Sequence, residues 1–409
     1  MEVIESTKTD LLKEIRKARV ASDQLFQVLT PEALYERPIA ERHRVIFYVG
    51  HLDGFDSIQI CREGLGLKSK DSELDSLFQA GIDPDSSNLP TDTPADWPTR
   101  SQVSEYVRRC REHVDTHLEK APEEVVHMAL EHREMHLETL AYMFHNFSYD
   151  KKVQPAAADL RNPGASPVTN DWCEIPAGEA LLGKPEDGTF GWDNEYGETA
   201  IQVPKFRIQR YSVTNGEYKK FVDQGAPAPH FWVRKGSSIN YRGTFGEFPL
   251  PLDWPVYVTQ FEAQSYADWI GKTLPTEAQF HRAAFGTASA HNRNYPWGSA
   301  EPTHAYGNFD GKRWDPEPVT ASLPGSSAFG VTQMVGNGWQ WTSTKFAPFP
   351  GFRARAAYPG YSANFFDDEH YVMKGASPRT PKRLLRRSFR NWFRRDYPYT
   401  YATFRCVEN

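Results

Sequence analysis

The run of residues 122–146 constrains the chain most, because it predicts one long helix with two histidines on the same face. The run has no Gly and no internal Pro, and it is rich in Ala, Leu, Met and Glu, which favour helices. Successive helical residues are about 100° apart, so His132 and His136 lie one turn apart on one face. Two imidazoles at this spacing can bind one metal ion.

A third protein ligand for such an ion has to come from another helix. Glu138 lies about 200° round the helix from His136, and Glu134 is equally far from His132. Metal sites in helical bundles are built from side chains on facing helices. His51, in an earlier apolar segment, is the best candidate.

The alternative for a histidine pair on a charged helix is a solvated surface. His113 and His117 have the same spacing and are surrounded by charged residues. The apolar stripe of that segment lies about 100° round the helix from them. We therefore predict that His113 and His117 lie on the surface.

Length and charge indicate an ordinary globular protein. A chain of 409 residues predicts two or three domains. The formal net charge of −6 argues against general binding to nucleic acids or membrane surfaces. No apolar run approaches the ~20 residues of a membrane span, and the acidic N-terminus does not resemble a signal peptide. The four scattered cysteines favour reduced thiols and a cytoplasmic location.

Apolar periodicity predicts four helices in the first part of the chain, and hence a four-helix bundle over residues 1–150. The predicted helices are 5–30, with an apolar face of Leu11, Leu12, Ile15, Val20, Leu25 and Leu29; 41–63, with His51; 101–120, with Ser101 as N-cap; and the histidine helix. A structureless polar loop is expected over residues 68–99.

The second part of the chain has a different pattern. Residues 151–168 are rich in Pro, Ala, Gly and Asn and predict a linker. Residues 169–409 predict short strands, long loops and few helices, the clear ones being 259–270 and a segment after Leu274-Pro-Thr-Glu277. The predicted fold class is therefore α+β and multidomain.

The second domain resembles the formylglycine-generating-enzyme fold, a variant of the C-type lectin architecture. The resemblance rests on seven motifs in the family's order: IPAG at 175–178, FGWDNE at 190–195, VTNGEY at 213–218, LPTE at 274–277, YPWG at 295–298, MVGNGWQWT at 334–342 and FRC at 404–406.

The first domain resembles the DinB-like four-helix bundle. The pattern His132-x3-His136-x-Glu138 matches the iron motif of the nonheme iron sulfoxide synthases of ergothioneine and ovothiol biosynthesis, and His51 stands where that family has its first histidine. The combination of the two domains is more specific than either domain alone.

This resemblance implies an O2-dependent formation of a C–S bond. Fe(II) would be bound by His51, His132 and His136, with open positions for substrates. The implied substrates are O2, a cysteine-type thiol and hercynine, which is Nα-trimethylhistidine. Neutral imidazoles and open coordination positions suit Fe(II) and oxygen activation. Glu138 would orient or stabilise the motif.

The resemblance also places residues for substrate binding in the second domain. Asn391 and Trp392 match the pair that holds the hercynine carboxylate and faces its trimethylammonium group, and Phe352 is the expected second wall. A quaternary ammonium cannot donate a hydrogen bond, so an aromatic wall is the expected solution. The alternative for Trp392 is a core tryptophan. Arg100 is a weaker candidate for the cysteine carboxylate.

Three positions depart from other family members. Phe393 replaces an Asp that binds the amine of γ-glutamylcysteine, which favours free cysteine. Phe349 replaces a catalytic Tyr that some members carry. Either another Tyr donates the proton, or the reaction partitions toward thiol dioxygenation. The residue that donates the catalytic proton is unassigned. Met135 replaces a Gln that hydrogen-bonds hercynine. These departures also leave room for a selenosugar donor, as in selenoneine synthases.

Three other functions fit parts of the chain. A copper-dependent formylglycine-generating enzyme needs a close cysteine pair, whereas Cys173 and Cys406 lie at the two ends of the second domain. A noncatalytic lectin-like binding module would bind no stoichiometric iron. The basic, aromatic run 382–395 is compatible with RNA binding. The better interpretation is that its arginines belong to the resembled fold and bind substrate carboxylates, because the whole chain is acidic.

Overall fold

The computed structural model describes residues 2–81, 89–156, 167–289 and 291–409. The chain divides into two compact units, Met1–Ala156 and Ala157–Asn409. Residues 82–88 of the predicted polar loop and residues 157–166 of the predicted linker lie outside the described residues.

The first unit is helical. Its long helices are α1 (Glu2–Phe26), α2 (Val45–Asp56), α4 (Arg100–His117) and α5 (Glu123–His145), with a shorter α3 (Ser72–Ala80) between α2 and α4. Helix α2 continues directly into a π-helix, Ser57–Glu63. Helix α1 packs against α5, and α2 packs against α4, α3 and α5. The four predicted helices are thus present.

Three details of this unit differ from the sequence predictions. Helix α3 lies inside the segment predicted as a structureless loop, and its N-cap Asp71 accepts a hydrogen bond from the Leu74 amide. The N-cap of α4 is Thr99, not Ser101, because the extended Thr99 forms a reciprocal capping box with Gln102. Val20 is 54 % exposed, so it does not belong to the apolar face of α1.

The π-helix changes the surroundings of α4. It packs against α4, and His113 is only 7 % exposed. The prediction that His113 lies on the surface is therefore wrong, because the apolar stripe of α4 alone does not reveal what packs beside it. His117, at the last residue of α4, is partly buried.

The second unit consists of short strands, long loops and three helices among its described residues. The helices are α6 (Asn215–Asp223), α7 (Gln260–Trp269) and α8 (Glu277–Phe285). The strands are β1 (Trp172–Ile175), β2 (Gly178–Leu182), β3 (Thr199–Val203), β4 (Phe206–Gln209), β5 (Trp232–Lys235), β6 (Ser238–Arg242), β7 (Glu247–Pro249), β8 (Gly338–Lys345), β9 (His370–Ala376), β10 (Asn391–Arg394), β11 (Ala402–Thr403) and β12 (Val407–Glu408).

These strands form small sheets rather than one large one. The strand orders are β1-β4-β12, β10-β9-β8-β11, β2-β3 and β5-β6-β7. All pairs are antiparallel except β11 with β8, which is parallel. Helix α8 packs on β2, and both contribute to an apolar core that includes Phe280, Ala283 and Leu182.

Threonine caps define the helices of the second unit. Thr214, Thr259 and Thr276 each form a capping box at the start of α6, α7 and α8. The two predicted helices correspond to α7 and α8. Helix α6 was not predicted, because it begins inside the VTNGEY motif and contains a glycine.

Buried carboxylates pair with two arginines of the basic run 382–395. Arg390 forms an ion pair of 3.1 Å with Glu277, and both side chains are buried. Arg386 pairs at 2.5 Å with the buried Glu195. These arginines therefore contribute to the fold of the unit. Among the described residues, no helix is long and apolar enough to cross a lipid bilayer.

Candidate metal centre

Three histidines from two packed helices meet inside the first unit. The ring centroids of His132 and His136 on α5 are 4.5 Å apart, and that of His51 on α2 lies 5.2 and 5.1 Å from them. One ring nitrogen of each lies within 4.8 Å of the others. Ligands bound to one ion at about 2.0–2.2 Å lie roughly 3–4 Å apart. Small rotations of the rings would thus bring all three onto one ion.

A backbone carbonyl fixes the orientation of the His51 ring. The Phe78 oxygen, near the end of α3, lies 2.7 Å from His51 Nδ1. Because a carbonyl only accepts, Nδ1 carries the proton and Nε2 keeps a lone pair for a metal. Phe47, one turn earlier on α2, stacks on the ring at 4.8 Å.

Aromatic packing also orients the two histidines of α5. Phe55 of α2 stacks on His132 at 3.5 Å, with the rings 14° from parallel. Tyr48 packs beside His136 at 5.8 Å. The Nδ1 atom of His136 is buried, and no described residue bonds it. A buried imidazole without a complete set of partners fits a metal ligand better than a structural core histidine.

Burial keeps these imidazoles neutral. It lowers the pKa of His51 to about 4. Burial, the neighbouring imidazoles and Arg133 lower the pKa of His132 well below its usual value. Burial, His51 and Arg42 lower the pKa of His136 in the same way. Neutral imidazoles offer the lone pairs that a divalent transition metal needs.

A buried charge network ties α2 to α5 beside the histidines. Arg133 lies 2.7 Å from both Asp53 and Asp56 and donates a hydrogen bond of 3.0 Å to Ser22 of α1. Arg111 of α4 joins it through an ion pair of 2.9 Å with Asp53. This network was not predicted from the sequence. The available signal is a pair of acidic residues within an apolar segment, since buried charges need partners.

The other candidates of the first unit occupy different environments. Met135 is partly buried on α5, between the two histidines in sequence. Arg100 is exposed at the first residue of α4. Glu138 is buried on α5, 8 % exposed.

In the second unit, Trp392 belongs to a cluster of aromatic rings. It is half-buried in β10 and stacks on Phe346 at 4.2 Å, with the rings 6° from parallel. Tyr361 and Phe365 pack against it at 5.4 and 5.6 Å. The predicted second wall, Phe352, packs instead against Phe366 at 5.0 Å, which in turn packs on Phe346.

Strand alternation separates Phe393 from the Trp392 ring. Phe393 belongs to the opposite face of β10, because successive side chains of a strand alternate. The Asn391 side-chain oxygen accepts a hydrogen bond of 2.9 Å from the Trp392 amide. Phe393 stacks on Tyr397 at 4.8 Å. Trp392 and Phe393 thus lie on different faces of β10.

Phe349 packs beneath a charged group. The Arg390 guanidinium lies 4.2 Å from the centre of its ring, and the ring contacts the apolar core that includes Phe280 and Leu182. Packing against Arg390 and this core therefore holds the Phe349 ring in place.

Comparisons with known proteins agree with this architecture. Residues 160–409 match the family model of the sulfatase-modifying factor enzyme 1-like domain. The hercynine oxygenase of Mycolicibacterium smegmatis is 32 % identical over 419 residues, which covers 91 % of this chain and 94 % of that protein. The chain belongs to the hercynine oxygenase family. The predicted fold class and family resemblance are thereby confirmed.

Matches to two further relatives of this family cover only part of those proteins. The hercynine oxygenase of Mycobacterium tuberculosis is 39 % identical over 238 residues, covering 53 % of this chain and 54 % of that protein. Ergothioneine biosynthesis protein 1 of Neurospora crassa is 27 % identical over 493 residues, covering 94 % of this chain and 56 % of that protein. The matches thus span little more than half the length of these two relatives.

Proposed function

We propose that the protein is an Fe(II)-dependent hercynine oxygenase that joins the sulfur of cysteine to the imidazole of hercynine. The product is the sulfoxide on the route to ergothioneine. One thiol, one imidazole C–H and one O2 give one sulfoxide and one water, so O2 accepts all four electrons. The cluster of His51, His132 and His136 carries this proposal.

The histidine cluster would hold the iron through one ring nitrogen of each imidazole. Bound Fe(II) supplies oxygen activation and open positions for substrates. The chain's own part is to hold the ligands: the Phe78 carbonyl keeps the proton on His51 Nδ1, and Phe55 packs flat on His132. The Arg133 network holds α2 and α5 together beside them.

The proposed role of Trp392 is to face the trimethylammonium group of hercynine. Its ring is braced by Phe346, so it presents a rigid aromatic surface to a cation. Asn391 would bind the hercynine carboxylate through its side-chain NH2, because its oxygen already accepts from the Trp392 amide. Phe352 and Met135 would contact hercynine, and Arg100 would contact the cysteine carboxylate.

Free cysteine is the proposed sulfur donor because Phe393 offers no carboxylate for a γ-glutamyl amine. A selenosugar is the alternative donor. Thiol dioxygenation to a sulfinate is the alternative outcome, since Phe349 cannot donate a proton. Both alternatives are distinguishable by the mass of the product.

Anaerobic reconstitution with Fe(II) tests the proposal. The loaded protein is exposed to O2 with hercynine and either cysteine, γ-glutamylcysteine or a selenosugar, and the products are identified by mass spectrometry. With cysteine, we expect the sulfoxide that joins cysteine to hercynine, and one bound iron per chain. The His51→Ala variant should lose both the product and the iron. His127→Ala is the matched control, because His127 also lies on α5 but pairs with Glu123 at 3.5 Å. Full iron occupancy and activity in His51→Ala would refute the assigned ligand set.

A further inference from the structure

A second group of metal-binding side chains lies outside the histidine cluster. Among the described residues, Cys61 of the π-helix and His113 and His117 of α4 each offer one ligand atom within 4.8 Å of the others. Cys61 is fully buried, His113 is 7 % exposed, and His117 is partly buried. The histidine cluster uses α2 and α5, whereas this group uses the π-helix and α4.

Hydrogen bonds orient both imidazoles of this group. His117 Nδ1 lies 2.9 Å from the backbone oxygen of His113, so Nδ1 is the protonated nitrogen and Nε2 is free. His113 Nδ1 lies 3.4 Å from the hydroxyl of Ser57. Ligating histidines in metal sites typically engage their second nitrogen in this way. The two rings stand edge to face, with centroids 5.1 Å apart.

The π-helix is a second, independent feature of the same place. Its wider turn departs from α-helical geometry over Ser57–Glu63, the segment that contains both Ser57 and Cys61. Turns of this kind are rare and frequently occur at functional sites. Here the π-helix supplies the cysteine and also the hydroxyl that contacts His113.

We propose that Cys61, His113 and His117 bind a divalent metal ion of the zinc type. One thiolate and two imidazoles are the ligands that zinc prefers, with a water completing four-coordination. Ligands at about 2.0–2.3 Å from an ion lie roughly 3–4 Å apart, so rotation of the side chains closes the present spacing. The ion would clamp the π-helix to α4. Because the π-helix continues α2, the clamp would also steady the helix that carries His51.

Cobalt(II) spectroscopy on the full-length chain tests this proposal. Metal-free, reduced protein is titrated with Co(II) without oxygen, and the near-ultraviolet thiolate-to-cobalt charge-transfer band is followed. Only a site with a cysteine ligand gives this band, whereas the histidine cluster has nitrogen ligands alone. We expect two equivalents of bound cobalt, with the band from one of them, and loss of the band on adding Zn(II).

Variants assign the band to its ligands. His117→Gln is the main test, because a partly buried residue at the end of a helix can change without emptying the core. It should weaken cobalt binding at the band-forming site at least tenfold. Cys61→Ser should abolish the band. His51→Ala should lose the other equivalent and keep the band, which separates the two sites.

Cys110→Ser is the matched cysteine control. Cys110 is a buried free cysteine on α4 that does not belong to the group. Its replacement should leave the band unchanged, with folding of every variant checked by circular dichroism. Absence of the band from the wild-type protein, or an unchanged cobalt affinity of the band-forming site in folded His117→Gln, would overturn the proposal. Loss of the band in Cys110→Ser would overturn the assignment to Cys61.

Discussion

Replacing Arg133 by Met should destabilise the first unit severely, because it leaves a buried carboxylate without its cation. Arg133 is 1 % exposed and pairs at 2.7 Å with both Asp53 and Asp56. Asp53 keeps Arg111 at 2.9 Å and Arg19 at 3.6 Å. Among the described residues, Asp56 forms an ion pair with Arg133 alone. The substitution therefore leaves Asp56 as the buried carboxylate without an ion-pair partner.

Two arguments give the same magnitude. Removing one partner of a buried ion pair typically costs about 3–5 kcal/mol. Asp56 can instead take up a proton, which at pH 7 costs about 1.4 kcal/mol for each unit above an ordinary pKa near 3.9, or roughly 4 kcal/mol. We therefore expect a loss of about 3–4 kcal/mol in the free energy of opening of α2 and α5.

The loss should depend on pH with a definite sign. Burial raises the pKa of Asp56, against the opposing effect of Arg133. Burial also acts to raise the pKa of Asp53, but Arg133, Arg111 and Arg19 outweigh it and lower that pKa. Asp53 thus stabilises the wild-type fold at neutral pH, and this contribution is lost as pH falls. Without Arg133 the pKa of Asp56 rises further, so the variant's deficit shrinks as pH falls.

Hydrogen–deuterium exchange followed by mass spectrometry measures the opening of α2 and α5 separately from the second unit. Arg133→Met/Asp56→Asn should recover much of the loss, since it removes the stranded charge. Arg108→Met is the control, because Arg108 pairs with exposed Glu105 and Glu112 on the surface of α4, and no measurable change is expected. A loss below about 1 kcal/mol in Arg133→Met, or a deficit that grows at low pH, would refute this reasoning.

Three further predictions concern the second unit. Trp392→Ala should weaken hercynine binding by roughly 1–2 kcal/mol and histidine binding much less, as measured by calorimetry; equal losses would make Trp392 a packing residue only. Cysteine should have a higher kcat/KM than γ-glutamylcysteine, and Phe393→Asp should shift the preference toward the dipeptide; a wild-type preference for the dipeptide would contradict the proposed donor. Phe349→Tyr should raise the sulfoxide-to-sulfinate ratio at equal O2. An unchanged ratio in the folded, iron-loaded variant would show that position 349 does not control the outcome.

The sequence was most informative where periodicity alone determines structure. Helix α5 and the shared face of His132 and His136 follow from helical geometry and composition. The position of His51 on a facing helix follows from bundle architecture, and the structure brings it to the same place. Its role as a ligand stays a prediction that the iron measurement addresses.

Sequence reasoning failed where the outcome depends on a neighbouring segment. His113 looked solvated because a helical wheel shows one helix at a time, whereas the π-helix packs beside it. The π-helix itself has no recognised sequence signature here, since Ser57–Glu63 fits an α-helix equally well. Helix α3 was hidden in a polar segment, although Asp71 was an available capping signal.

The bond between His51 and the Phe78 carbonyl has a consequence for how this region can vary. The acceptor belongs to the backbone, so the hydrogen bond itself does not depend on the side chain at position 78. The buried Phe78 ring is held separately by packing: it stacks on Tyr106 at 5.2 Å, and a Cβ at position 50 would lie 2.4 Å from it. The number of residues from Asp71 to Phe78 is less free, because one insertion would rotate the carbonyl by about 100°. A deep mutational scan should therefore tolerate substitutions at the exposed positions of α3 far better than single-residue insertions or deletions.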